Sequence, residues 1–110
     1  MPARWSVETL DASVDAEIAV LPGDLRARLS RIGFLIEDLG LESLREPYVR
    51  HLEGPLWEIR LRGKDQIARA LYVTATGRRV VIVRAFIKKT EKTPRREIEL
   101  ALTRARRVPR

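Results

Sequence analysis

Apolar and polar residues change their period along this chain, and the changes divide it into parts. From Arg4 to Thr9 they alternate around Trp5 and Val7, as on a strand with one face turned inward. Between Ala12 and Leu39 the spacing becomes helical. One helix is expected from Ala12 to Val20, stopped by the Pro22-Gly23 turn. A second begins near Asp24, a residue suited to the N-cap, and sets Leu25, Leu29, Ile32, Leu35, Ile36 and Leu39 on one stripe. Gly40 ends it as a left-handed C-cap. Such a stripe has to be buried, so the helix pair reads as scaffold. From Tyr48 onward alternation returns. It predicts strands at Tyr48–Leu52, Leu56–Leu61, Ile67–Thr74 and Arg79–Ile87, joined by turns at Glu53-Gly54-Pro55, Arg62-Gly63-Lys64-Asp65 and Thr76-Gly77-Arg78. Connections this short make antiparallel hairpins, because a parallel crossover needs about a dozen residues or more. Thr93-Pro94 reads as an N-cap and first residue of a closing helix that runs to about Arg107. Ile98, Ala101, Leu102 and Ala105 dock that helix, and its other face is basic. The order β-α-α-β-β-β-β-α is an α+β fold: a small, twisted, antiparallel-rich sheet with an N-terminal helix pair and a C-terminal helix.

Length and composition narrow the picture. A chain of 110 residues, 45% hydrophobic and 34% charged, fits one globular domain over residues 1–110. It contains no cysteine and one histidine, which excludes disulfides and argues against a protein-built metal site, so neither metal nor cofactor is expected. No long apolar run and no signal-like start is visible, so the expected location is cytoplasmic and no membrane partner is expected. The net charge of +7 is unevenly spread. Residues 1–55 carry six arginines against ten acids, and residues 56–110 carry sixteen lysines and arginines against five acids. A polyanion suits such a half, since each neutralised phosphate releases counterions; a solvated basic surface or a patch for anionic lipid would have the same composition.

Several cations in the basic half stand at positions that need explaining. Along Leu56–Leu61 alternation points Trp57, Ile59 and Leu61 toward the core, and Glu58, Arg60 and Arg62 to the other face, where charge is normally just solvated. Arg69 interrupts the apolar run Ile67-Ala68-Arg69-Ala70-Leu71-Tyr72 and needs a partner such as Glu58 or a wet cleft. Arg84 raises the same question in the next strand. The strand that ends in Phe86-Ile87 runs into Lys88-Lys89 and then a polar loop with Lys92, leading to a helix N-terminus, an arrangement that suits an anion. Lysines that merely blunt a sheet edge would look alike. His51 is a candidate for proton transfer by its chemistry, although a lone strand histidine is more often structural. Trp57 and Phe86 read as core, which leaves few aromatics for base stacking.

Taken together, Trp57-Glu58-Ile59-Arg60, Arg69-Ala70-Leu71-Tyr72, Phe86-Ile87-Lys88-Lys89-Thr90-Glu91-Lys92-Thr93-Pro94 and Glu97-Ile98-Glu99-Leu100-Ala101 resemble the phage-derived HigB-like branch of the RelE/ParE toxin superfamily. The resemblance runs from the helix pair to the closing helix, and the Phe-Ile-Lys-Lys-Thr segment with its Thr-Pro is its most specific part. It implies a RelE-like curved sheet flanked by helices and a toxin of a type II toxin–antitoxin system. It further implies an endoribonuclease that cleaves messenger RNA on the ribosome, and a hetero-oligomer with a helix-turn-helix antitoxin. Carried over, the catalytic cations fall on Arg60, Arg69 and Lys89, with Lys88 beside them; Arg62, Lys64, Arg84 and Lys92 would then hold RNA. Some superfamily members carry a tyrosine in the closing helix for proton transfer, but this chain has no aromatic residue after Phe86. Two other readings remain: a ParE-like, non-catalytic inhibitor of a protein such as gyrase, and an RNA-binding module that cuts nothing.

Overall fold

Five strands, β1 (Ser6–Thr9), β2 (Val49–Glu53), β3 (Leu56–Arg62), β4 (Ile67–Ala75) and β5 (Arg79–Lys88), form one sheet. Three helices, α1 (Ala12–Ala19), α2 (Gly23–Leu39) and α3 (Arg95–Ala105), pack on it, and a short 3₁₀ turn spans Leu41–Ser43. The structure is a computed structural model that describes residues 4–44 and 48–109. Every element predicted from the pattern is present, within two residues at either end.

The sheet order is β1-β5-β4-β3-β2. β2 to β5 are joined by hairpins and pair antiparallel, whereas β1 pairs parallel to β5, with Ser6 opposite Arg79 and Thr9 opposite Ile82. The helix pair supplies the crossover that a parallel pairing requires. β1 covers only the first half of β5. Beyond it, Glu17 of α1 accepts the Ala85 N–H at 3.2 Å and Arg104 of α3 donates to the Val83 carbonyl at 2.9 Å, so side chains satisfy an edge that no strand reaches.

Both faces of the sheet are covered. Leu25, Leu29, Ile32 and Ile36 of α2 bury against Ile59, Leu61, Ala70, Tyr72 and Ile82 on one side. Ala101 and Ala105 of α3, with Val108, close over Leu71, Val73, Val81, Val83 and Phe86 on the other. Two-sided burial explains why β4 and β5 read as nearly continuous apolar runs. Burial also pushes the Tyr72 phenol well above its ordinary range.

The caps differ from those read off the sequence. Pro22, not Asp24, occupies the N-cap of α2. The Asp24 carboxylate accepts the Leu25 N–H at 3.0 Å and the Lys64 N–H at 2.7 Å, tying the β3–β4 turn to the helix. Pro94 holds the N-cap position of α3, because the Thr93 hydroxyl is engaged by Glu58. Gly40 has the positive φ expected, +89°, but its ψ of 154° is extended rather than left-handed helical. Asp11 is the one side-chain cap among the described helices, accepting from Ser13 and Val14. Leu39 was expected on the buried stripe and is 65% exposed. None of the described helices is long and apolar enough to cross a membrane.

Candidate active site

Register brings the basic residues together. Arg60 lies directly opposite Arg69, Arg69 opposite Phe86, and Ile67 opposite both Arg62 and Lys88. Opposed residues share a face, and alternation then places Glu58, Arg60, Arg69 and Lys88 on the face that α3 covers. α3 stops short of them. The sheet there forms the floor of a concavity of about 230 Å³, lined also by Arg50 and walled by Glu91, Lys92 and Thr93 of the β5–α3 loop.

Arg69 is the unusual member. It is only 3% exposed, a burial that arginine rarely tolerates without full pairing. Its Nε lies 3.2 Å from Oε1 of Glu58, which is equally buried, but at an angle that makes no hydrogen bond. Its NH1 donates to the Ala68 carbonyl at 3.2 Å. The same Glu58 oxygen accepts the Thr93 hydroxyl at 2.8 Å, so its hydrogen bond goes to Thr93 and Arg69 is held to it by charge. Burial lowers the proton affinity of Arg69; Glu58 works against this, and the neighbouring Arg60 and Arg62 add to it. A buried guanidinium with a half-engaged carboxylate and two cationic neighbours retains the capacity to bind an anion.

Lys88 stands at the end of β5 with Nζ donating to the Glu91 carbonyl. Its pKa is lowered, chiefly by burial and next by Arg69; Glu58 opposes the shift, Arg60 adds to it, and Glu91 opposes it. Lys88 is therefore readier than an exposed lysine to give up a proton.

Residues 16–106 match a family described as phage-derived protein Gp49-like. The chain belongs to that family. Among solved structures, the RelE–RelB complex of the archaeon Pyrococcus horikoshii OT3 contains a chain similar in fold, with a TM-score of 0.57 and 22% identity over 76% of this chain and 94% of that one. The likeness shows that this Gp49-like chain has a RelE-like fold. No curated protein matches the chain.

Within this Gp49-like site, the residues singled out in the sequence divide into three sets. Arg60, Arg69, Lys88 and Lys92 line one concavity. Arg62 lies beside it, with Arg60 and Arg69, in a second depression, and Lys64 lines a third with Arg62. Lys89 and Arg84 stand apart. Lys89 lies just past the end of β5, is exposed, and lines none of these depressions. Arg84, expected to hold RNA, is committed elsewhere: it donates to both Glu97 oxygens at 2.7 and 3.1 Å and pairs with Glu17 at 3.0 Å. That network joins α1, β5 and α3 and is structural.

One further expectation is corrected here. Trp57 is 39% exposed rather than core, because only the edge strand β2 lies beyond it. His51 is opposite Trp57 in register and packs edge-on against its indole, ring centroids 5.0 Å apart, so it shares the Trp57 side of the sheet. Its Nε2 lies 2.8 Å from the Gly54 carbonyl, which only accepts, so this nitrogen carries the proton. The imidazole holds the β2–β3 hairpin, and His51 also borders the concavity lined by Glu58, Arg60 and Lys88. Sequence reasoning missed Arg50, which pairs with Glu58 across the β2–β3 register, and Tyr48. It also left Glu58 and Thr93 without a role at the site. The signal for Arg50 was available, since it alternates with Val49 on a strand beside the motif.

Proposed function

We propose that this protein is the toxin of a toxin–antitoxin pair and that it cleaves messenger RNA without a metal. The observation that carries the reading is the convergence of Arg60, Arg69 and Lys88, from three strands, on one concavity whose only carboxylates among the described residues are Glu58 and Glu91. Membership of the Gp49-like family and the RelE-like fold support it.

In this reading the RNA 2′-hydroxyl attacks the adjacent phosphorus, the P–O5′ bond breaks, and a 2′,3′-cyclic phosphate is left beside a new 5′-hydroxyl. Negative charge builds on the non-bridging oxygens, where Arg60 and Arg69 stabilise it more in the transition state than before. Protonated Lys88, with its lowered pKa, delivers a proton to the departing 5′-oxygen, and Glu58 is the carboxylate available to accept the 2′ proton. The scarcity of aromatics near the scissile position fits an enzyme that relies on the ribosome to present its substrate. The RelE of the archaeal structure is bound to RelB, and by analogy an antitoxin, here of the helix-turn-helix kind, would neutralise this chain in a hetero-oligomer.

The test is induced expression followed by mapping of transcript 5′ ends. Arg69→Ala is a poor probe, because it strands buried Glu58; Arg60→Gln and Lys88→Met leave no buried charge unpaired. Wild type should create new ends within translated codons, and each variant should lower cleavage about 10²- to 10³-fold. Lys89→Met should stay near wild type. A second reading, a non-catalytic inhibitor of a protein target such as gyrase, draws on the Arg69–Glu58 pair, which makes part of the cluster structural. Growth arrest with intact transcripts would select it.

A further inference from the structure

β2 ends before β3 does. Val49 is the first residue of β2 and lies opposite Ile59, so Arg60, Leu61 and Arg62 continue along an edge that β2 does not cover. The chain is held at this point by the Arg60 N–H, which donates to the Tyr48 carbonyl at 2.8 Å. A second concavity of about 400 Å³ opens along the uncovered edge, lined by Arg28 of α2, Tyr48, Arg60, Arg62, Ile67 and Arg69.

Three features distinguish it. It shares Arg60 and Arg69 with the cleavage concavity, so the two adjoin across those guanidinium groups. Among the described residues it has no carboxylate in its lining, and Arg28, Arg60 and Arg62 have no acidic partner. It contains Tyr48, a 54% exposed aromatic in a protein with few. Arg28 and Arg62 also line the next depression with Lys64, where the carboxylate of Asp24 is already occupied by two backbone N–H groups. Cations and one aromatic therefore run continuously away from the scissile position.

We infer that this second concavity is a subsite for the nucleotide next to the cleaved phosphodiester, with Arg28 and Arg62 on its phosphate and Tyr48 under its base. The inference rests on the RNA-cleavage reading and extends it to a residue on which the motifs were silent. A free anion or a lipid headgroup would use the arginines but would have no use for the ring. Single-stranded RNA uses both, because every base has a face to stack and every linkage a charge.

Short 2′-O-methyl RNA oligomers lack the nucleophile and remain intact, so binding is separable from cleavage. Their affinity is measured by fluorescence anisotropy for wild type, Tyr48→Ala, Tyr48→Phe and Arg62→Gln. Each protein is titrated with the intact oligomer and with oligomers carrying one abasic position in turn. Tyr48→Ala should bind about five- to hundredfold more weakly, and Tyr48→Phe should bind as wild type does. One abasic position should cause the same loss in wild type and no further loss in Tyr48→Ala. Cleavage and binding that are intact in Tyr48→Ala, or an abasic effect that adds to it in full, would overturn the subsite and leave the nuclease standing. A wild-type protein that binds none of these oligomers would overturn the subsite, whereas the nuclease reading falls only if transcripts stay intact on induced expression. Weaker binding of a polyglutamate peptide by Tyr48→Ala, with RNA affinity unchanged, would assign the ring to a protein partner and overturn the inference.

Discussion

Lys88 has two neighbours that pull its proton in opposite directions, and this makes the site testable by pH. Burial and Arg69 lower its pKa, while Glu58 raises it. As the proton donor to the leaving oxygen it must be charged, so cleavage should hold while pH is below its lowered pKa and fall as pH rises through it. Arginine keeps the charge but does not titrate in this range. Lys88→Arg should therefore lose some rate at neutral pH and shift the alkaline limb of the kcat/KM profile upward; an unchanged limb would show that another group titrates. The cations of the site were legible from alternation, since one charge in an apolar strand needs a reason. What was not legible was the division of labour. Lys88 and Lys89 are adjacent in sequence, and only the end of β5 decides which of them turns inward. His51 looked chemically apt and borders the concavity, but its ring is engaged by the Gly54 carbonyl and the Trp57 indole. Tyr48, expected as the first residue of its strand, lies just before it, so the period gave it no role.

The elements themselves were nearly all readable, because two-fold and helical periods record which side is buried. Their junctions were not, since a capping residue is chosen by three-dimensional competition. Asp24 and Thr93 have the right chemistry for N-caps, yet each serves a distant partner, the Lys64 N–H and Glu58 respectively. Nor does local pattern show which strand β1 will join. Asp24 gives a prediction at this scale. A Cβ added at Gly63, in the β3–β4 turn, would lie 2.6 Å from Oδ2 of Asp24 and 2.9 Å from Cδ2 of Leu25. The carboxylate is tied at both oxygens and the leucine is core, so neither yields cheaply. Gly63→Ala should cost about 1–3 kcal/mol in urea unfolding. It should also weaken RNA binding by shifting the turn between Arg62 and Lys64, although it removes no charge. Wild-type stability would mean that the clamp is loose.

Across the whole molecule, part of the uneven charge of the two halves is consumed by folding. Acids of the first half meet arginines of the second: Glu8 pairs with Arg79, Asp11 with Arg107, Glu17 with Arg84 and Arg104, and Glu53 with Arg95. The excess positive charge read from the sequence thus overstates what is available to a polyanion, and the remainder is more localised than the sequence implies. Arg60, Arg62, Lys64 and Lys92 have no carboxylate within salt-bridge distance among the described residues. If the adjoining concavities hold the strand, RNA should contact about three to five phosphates, and log K should fall with log salt at a slope of about −2 to −3.5. Arg62→Gln should make that slope shallower by about 0.7 for every sequence tested, the mark of a phosphate contact rather than a base contact. The competing surface is the outer side of α3, where Arg96 and Arg106 are exposed. A slope that responds to Arg96→Gln and Arg106→Gln but not to Arg62→Gln would move the RNA to that helix and away from the cleavage site.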